Sequence, residues 1–283
     1  MSSILKITAL LVVIASALSS GCDDRTTAVE QPVAATMPAA EHTPTAEQWQ
    51  RVAALHILFG HQSVGGNILA GVQNLALEQH IPLRISESRA PLSGPGIQHF
   101  KVGRNEDPNG KLVDFGNVLS QESAAPIDIA LLKFCFIDFA AAVDPNQLAH
   151  NYITTLDELA RAHPNTIFIP MTSPLTTLQS GPRAWLKKFL GKEPGGYASN
   201  ARRYAFNEAL RAHYGESRRL FDIAALESNR GQSGGEYHGA RIESLNPRIA
   251  SDDGHLNDAG ERLLGSALIS HLATVSKSAV GNP

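Results

Sequence analysis

The chain of 283 residues is 43% hydrophobic and 18% charged, with 24 Lys plus Arg against 27 Asp plus Glu and two cysteines. That length fits one α/β domain of roughly 200–250 residues, or two small ones, with enough apolar surface for a large core. A formal charge of −3 without a long Lys/Arg run argues against nucleic acid as a main partner, because affinity for a phosphate backbone comes from clustered cations. Cys22 and Cys135 lie far apart with no Cys or His at ligand spacing, which argues against a disulfide framework and a structural zinc site.

Residues 1–21 open on a short polar start with Lys6, continue as an apolar run over 7–18, and end in Ser19-Ser20-Gly21 ahead of Cys22. The run is shorter than the stretch of about 20 apolar residues that a spanning helix needs, so it reads as a cleaved signal peptide. Small residues before a lone cysteine resemble the lipobox of bacterial lipoproteins, with Leu18 one place further from the cysteine than usual. The resemblance implies that Cys22 is acylated and becomes the first mature residue, anchoring the chain in the membrane of the cell envelope. Ordinary secretion, with cleavage near Ala17 or Ser20, is the alternative. Residues 22–45 have no apolar periodicity and read as a disordered tether, which leaves 46–283 as the folded domain.

From Leu55 onward, apolar runs of strand length alternate with helix-periodic stretches, the pattern of a parallel sheet covered on both faces. Strands are expected at 55–60, 82–86, 127–134, 166–170 and 219–222. Helices are expected near 64–79, 111–122, 145–162, 199–213 and 258–272, with Asn257 or Asp258 suited to cap the last. The stretches 87–109 and 171–198 fit no element well, and loops of that length are usually functional or mobile. Within the second, Trp185, Leu186, Phe189 and Leu190 stand beside Lys187 and Lys188, which predicts a short amphipathic helix. It reads as a packed surface helix, a substrate lid or a membrane-contacting helix.

Two segments carry residues fit for chemistry. Gly60-His61-Gln62-Ser63 ends the first strand just before a helix, so Ser63 is expected at the carboxyl edge of the sheet with its N–H at a helix amino terminus, where a developing oxyanion is stabilised. A plain N-cap serine would occupy the same place. In Ser251-Asp252-Asp253-Gly254-His255, a carboxylate three residues before a histidine can fold back on the imidazole and fix its tautomer for general-base work, although a solvated helix-entry loop uses the same residues.

Together these segments resemble the SGNH (GDSL-type) hydrolase superfamily, which places its serine after the first strand and an Asp-x-x-His pair before the last helix. The resemblance runs from Leu55 to Leu272 and includes Phe206-Asn207-Glu208-Ala209-Leu210-Arg211 followed by Leu220-Phe221-Asp222-Ile223. It implies Ser63 as nucleophile, His255 as base and Asp252 as its orienting partner. The implied fold is a three-layer α/β/α, flavodoxin-like one, with a five-stranded parallel sheet in order 2-1-3-4-5 and ligands at its carboxyl edge. This chain departs from the family in two places. The family's Gly-Asp-Ser becomes Gly60-His61-Gln62-Ser63, and its Gly-x-Asn-Asp aligns with Cys135-Phe136-Ile137-Asp138, so Ile137 stands where the family has its oxyanion asparagine. The expected oxyanion donors are therefore Ser63 itself, Asn67 or Gln62, and a glycine at 94 or 96. His61, Asp138 and Arg104, with Asn105, Asp107 and Lys111 nearby, are candidates for substrate contact. Their plainer readings are a turn cap, a partner for backbone donors and a solvated loop. Cys135 reads as a reduced core residue.

The leading functional expectation is an envelope-tethered serine esterase or deacylase acting through an acyl-serine intermediate. Its substrates would be small-molecule or glycan esters, such as acyl esters of carbohydrate or related envelope compounds. No cofactor is implied, and the oligomeric state stays open. The alternatives are a non-catalytic carbohydrate- or envelope-binding protein on the same fold, an acyltransferase, and a metal-dependent hydrolase using His61, Asp138, Asp252 and His255.

Overall fold

The computed structural model describes residues 43–90, 94–121 and 126–280. The expected signal peptide, Cys22 and the tether up to residue 42 lie outside the described residues. Five strands form one parallel sheet: β1 (His56–His61), β2 (Ile85–Glu87), β3 (Gly96–Lys101), β4 (Ile129–Leu132) and β5 (Ile167–Pro170), in spatial order β2-β3-β1-β4-β5. Along β1 and β4 alternate residues face opposite sides. Ile57, Phe59, Ile129 and Leu131 enter one core and Leu58, Ala130 and Leu132 the other, which is why these strands read as continuous apolar runs. Helices α1 (Ala46–Ala53) and α2 (Val64–Glu78), with α7 (Ile223–Glu227) and α8 (Asp258–Val280) from later in the chain, cover the first face. Helices α3 (Pro108–Leu119), α4 (Pro145–Ala162) and α6 (Tyr197–Tyr214) cover the second, giving three layers. Local chemistry sets several helix starts. Asp107 and Asp144 accept backbone N–H groups ahead of a first-turn proline, and Thr45 forms a capping box with Gln48.

The segment expected as the second strand forms only the short edge strand β2. The strand beside β1 is β3, which lies inside the stretch expected to be a loop. Its polar Gln98 and His99 hide the run, and Gln98 is buried with its amide donating to Ser88 O and Ala90 O. The strand expected at 219–222 shrinks to a parallel bridge between Met171 and Phe221. Asp222 then turns the chain by accepting from Ala225 N at 3.0 Å to cap α7 (Ile223–Glu227). Counting that bridge as the last strand, the order 2-1-3-4-5 is present with β2 added at its edge. The long stretch 171–198 contains α5 (Gly181–Phe189), and the hairpin β6 (Gly234–Tyr237) and β7 (Ala240–Glu243) precedes the last helix, α8 (Asp258–Val280).

Helices α2 and α8 pack side by side on the first face with their backbones in close approach. A Cβ on Gly71 would lie 1.8 Å from Glu261 O, and one on Gly265 would lie 2.6 Å from Val72 N, so only glycines let these backbones touch. The approach brings the amino-terminal segments of two helices, distant in sequence, to the same edge of the sheet. Asn257 caps α8 by accepting from Gly260 N at 3.1 Å. Among the described residues, no helix is long and apolar enough to cross a membrane.

Candidate active site

Ser63 occupies the N-cap position of α2 but makes no side-chain cap hydrogen bond. Its hydroxyl instead donates to His255 Nε2 at 2.5 Å. The backbone at Ser63 has φ 44° and ψ −107°, a conformation costly for a residue with a Cβ. The sharp turn this produces lifts Oγ off the end of β1, and the first N–H groups of α2 have no acceptor within the helix.

His255 and Asp252 sit in the turn before α8, closed by Ser251 N donating to His255 O at 2.9 Å and by an Ala250–Leu256 bridge. His255 Nδ1 lies 2.8 Å from Asp252 Oδ2 and 3.0 Å from Oδ1. The carboxylate can only accept, so Nδ1 carries the proton and Nε2 is left bare toward the Ser63 hydroxyl. Asp252 Oδ1 also accepts from Gly254 N and His255 N, both at 2.8 Å. These backbone donors, with the imidazole, hold the Asp252 carboxyl below its ordinary range and keep it anionic beside the ring. Phe136 packs edge-on against the imidazole at 5.5 Å between centroids. That ring lies in the 3₁₀ turn Phe136–Asp138 after β4, whose Phe136 carbonyl accepts from Arg203 Nε at 3.0 Å. Arg203 on α6 had no signal in the local sequence that would single it out.

The expected oxyanion donors are disposed differently. Gln62 spends its amide N–H groups on Val102 O (3.0 Å) and Gly103 O (3.2 Å). Asn67 donates to Glu261 Oε1 at 2.7 Å across the α2–α8 contact. Gly96 begins β3 opposite His56, at the amino-terminal edge, and its N–H is held by Leu55 O at 2.7 Å. Gly94 precedes it at that same remote edge. Ile137 is 41% exposed and supplies no donor. Of the expected set, the Ser63 N–H remains the candidate at the serine itself.

The residues considered for substrate contact also separate. Asp138 is fully buried, pairing with Lys111 Nζ at 2.5 Å and accepting from Cys135 N (2.7 Å) and Glu106 N (2.9 Å). It ties together two loops and is closed to substrate. Lys111 Nζ also donates to Asn105 Oδ1 at 3.1 Å. Because β3 and β4 flank β1, the strap 102–106, pinned after β3 and tied at Glu106 to the turn after β4, crosses the carboxyl end of β1. Arg104 on this strap is open to solvent, 3.7 Å from Asp107. Cys135 is buried and unpaired. His61 is buried, with Nε2 3.0 Å from His99 Nδ1, and its ring fills the space that a Cβ on Gly65 would need. With His61 and Asp138 committed elsewhere, they do not converge on His255, and among the described residues no three His, Cys, Asp or Glu side chains cluster as metal ligands.

Burial, with Lys133 and His99 nearby, pushes His61 down from 6.5 to about 3. The folded state then binds fewer protons here than the unfolded chain, so this contribution is complete above about pH 6.5 and drains away as the pH falls toward 3. Glu227, pushed by burial from 4.5 up to about 8, works in the opposite direction and loses its contribution as the pH rises toward 8. Urea unfolding followed between pH 6.5 and 3 should show a falling midpoint whose slope flattens in His61→Gln. An unchanged slope would assign acid sensitivity to other groups.

Beside the triad opens a broad cavity of about 1270 Å³, walled by Glu106, Ile137, Thr177, Arg183, Arg202 and Asp252 among others. Asp252 forms part of its wall and Ser63 and His255 do not, so the cavity meets the site at Asp252.

The fold thus brings Ser63, His255 and Asp252 into one hydrogen-bonded chain at the carboxyl edge of the parallel sheet. Among solved structures, the chain is similar to the OSK domain of Drosophila Oskar (11% identity, 87% of this chain and 98% of that one, TM-score 0.41). It is also similar to the periplasmic domain of a Salmonella ser. Paratyphi A lipopolysaccharide acetyltransferase (12% identity, 78% and 84%, TM-score 0.41). A third similar structure is a possible lipase from Chitinophaga pinensis (9% identity, 80% and 99%, TM-score 0.40). No family model matches the chain. No curated protein matches it either.

Proposed function

We propose that this chain is a serine hydrolase of ester bonds, working through an acyl-serine intermediate on acyl esters of carbohydrate or related compounds of the cell envelope. The observation that supports it most is the hydrogen-bonded chain from Ser63 Oγ through His255 to Asp252, built on a serine held in a strained conformation. Strain of this kind costs on the order of 1–3 kcal/mol and persists where a site uses it. His255 Nε2 takes the hydroxyl proton as Ser63 Oγ bonds to the ester carbonyl carbon, and the carbonyl electron pair moves to oxygen. The imidazolium, steadied by Asp252, returns the proton to the departing alkoxide. Water, activated by the same Nε2, then releases the acid. An alcohol in that place would yield transfer instead. The envelope location rests on the signal-like segment and Cys22.

The oxyanion would be met by the Ser63 N–H and by the side-chain amide of Asn105. A lysine ammonium only donates, so Asn105 must turn its oxygen to Lys111, which leaves its NH₂ free to face away from that partner, on the strap that crosses the end of β1. With the purified chain, short-chain p-nitrophenyl esters should be hydrolysed with or without chelator. Asn105→Ala should lower kcat by about 10²–10³ with little change in KM. An unchanged kcat in a folded Asn105→Ala chain would remove Asn105 from the hole, and absence of any Ser63-dependent ester turnover would overturn the hydrolase reading.

A further inference from the structure

Helix α5 and its C-cap residue leave four large apolar side chains in water: Trp185 (66% exposed), Leu186 (51%), Phe189 (73%) and the cap Leu190 (58%). Trp185 and Phe189 stack on each other with centroids 5.5 Å apart, and Ala184 is the helix's buried residue. At about 100° per residue these four span about 140° of the helix surface, one continuous stripe. The flanks are cationic. Lys188 borders one side, Arg183 and Lys187 the other, and Lys192 follows the helix, while no carboxylate occurs from Ser180 to Lys192. Lys188 is steadied over the Tyr197 ring at 5.3 Å and Lys187 by Gln179 Oε1 at 2.8 Å.

We infer that α5 is a membrane-docking surface for a bilayer with anionic headgroups. The aromatic and leucine stripe enters the boundary between headgroups and acyl chains, and the flanking cations meet lipid phosphates. Charge selects this occupant over a second copy of the chain, because a symmetric contact would set the same four cations against each other. The inference stands apart from the chemistry at Ser63, although Pro182, Arg183 and Lys187 also wall the cavity beside the triad, so docking would turn that cavity toward the membrane surface.

The chain carries its own reporter. It has two tryptophans, and Trp49 is fully buried, so an environmental change in tryptophan emission reads Trp185. Titrating the full chain with phosphatidylcholine vesicles containing phosphatidylglycerol should shift emission to the blue, and brominated acyl chains should quench it. Lys188→Gln and Lys192→Gln should each weaken vesicle affinity about fivefold. Phe189→Ser with Leu190→Ser should abolish the quenching while leaving the thermal unfolding midpoint and soluble-ester turnover unchanged. Anchoring through the amino-terminal segment alone would leave Trp185 emission unmoved, which would overturn the inference. So would equal binding to pure phosphatidylcholine, or a blue shift that grows with protein concentration in the absence of vesicles.

Discussion

Replacing Ser63 by alanine is expected to lower kcat on an ester by about 10⁴–10⁶ while leaving substrate binding nearly intact, because the acyl-enzyme can no longer form. Removing His255 should cost a similar amount, since Nε2 is the base 2.5 Å from Oγ. Asp252→Asn should also be severe. An amide facing Nδ1 no longer fixes the tautomer with Nε2 bare, and it offers no charge to the imidazolium. These losses should not multiply: the Ser63→Ala/His255→Ala double variant should be about as active as either single one, because the residues act as a unit. The Ser63→Ala comparison measured as kcat and KM separately, with circular dichroism to verify folding, checks the set.

The second large effect is on stability. Lys111 and Asp138 are both fully buried and pair at 2.5 Å. Lys111→Met would strand the Asp138 carboxylate in the interior, and breaking a buried pair in this way costs about 3–5 kcal/mol. Adding Asp138→Asn to Lys111→Met should recover much of that loss, since no uncompensated charge is left while the side-chain oxygen still accepts from Cys135 N or Glu106 N. Denaturant unfolding of both single variants and the double variant measures the coupling. If Lys111→Met were neutral, the pair would not be what holds the strap. The single variant should also lose turnover at a denaturant concentration where it remains folded, because Asn105 Oδ1 is held by the same ammonium.

Much of this architecture was legible along the chain. Uninterrupted apolar runs marked β1, β4 and β5, and the 3.6-residue period marked α2, α4 and α6 near their observed bounds. The segments around Ser63 and Asp252-x-x-His255 could be singled out because each is set by neighbours in sequence: a strand-to-helix turn, and a carboxylate folding back over three residues. Strand β3 was hidden because its buried Gln98 and half-buried His99 are satisfied by partners that periodicity cannot show. Asn67 and Gln62 were expected to serve the oxyanion from their proximity to Ser63. Their side chains are instead claimed by Glu261 on a helix 194 residues away and by carbonyls about 40 residues on, contacts that only the folded chain creates. The Lys111–Asp138 pair, 27 residues apart between helix α3 and the 3₁₀ turn after β4, was invisible for the same reason.

The central claim is that Ser63 carries the acyl group. Brief incubation with a p-nitrophenyl ester, acid quenching and peptide mass analysis test it directly. The expected result is a mass increase equal to the acyl group on the peptide containing Ser63, absent in Ser63→Ala and lost in His255→Ala. Ester turnover with no acylated Ser63 peptide, or with full activity retained in Ser63→Ala, would contradict it.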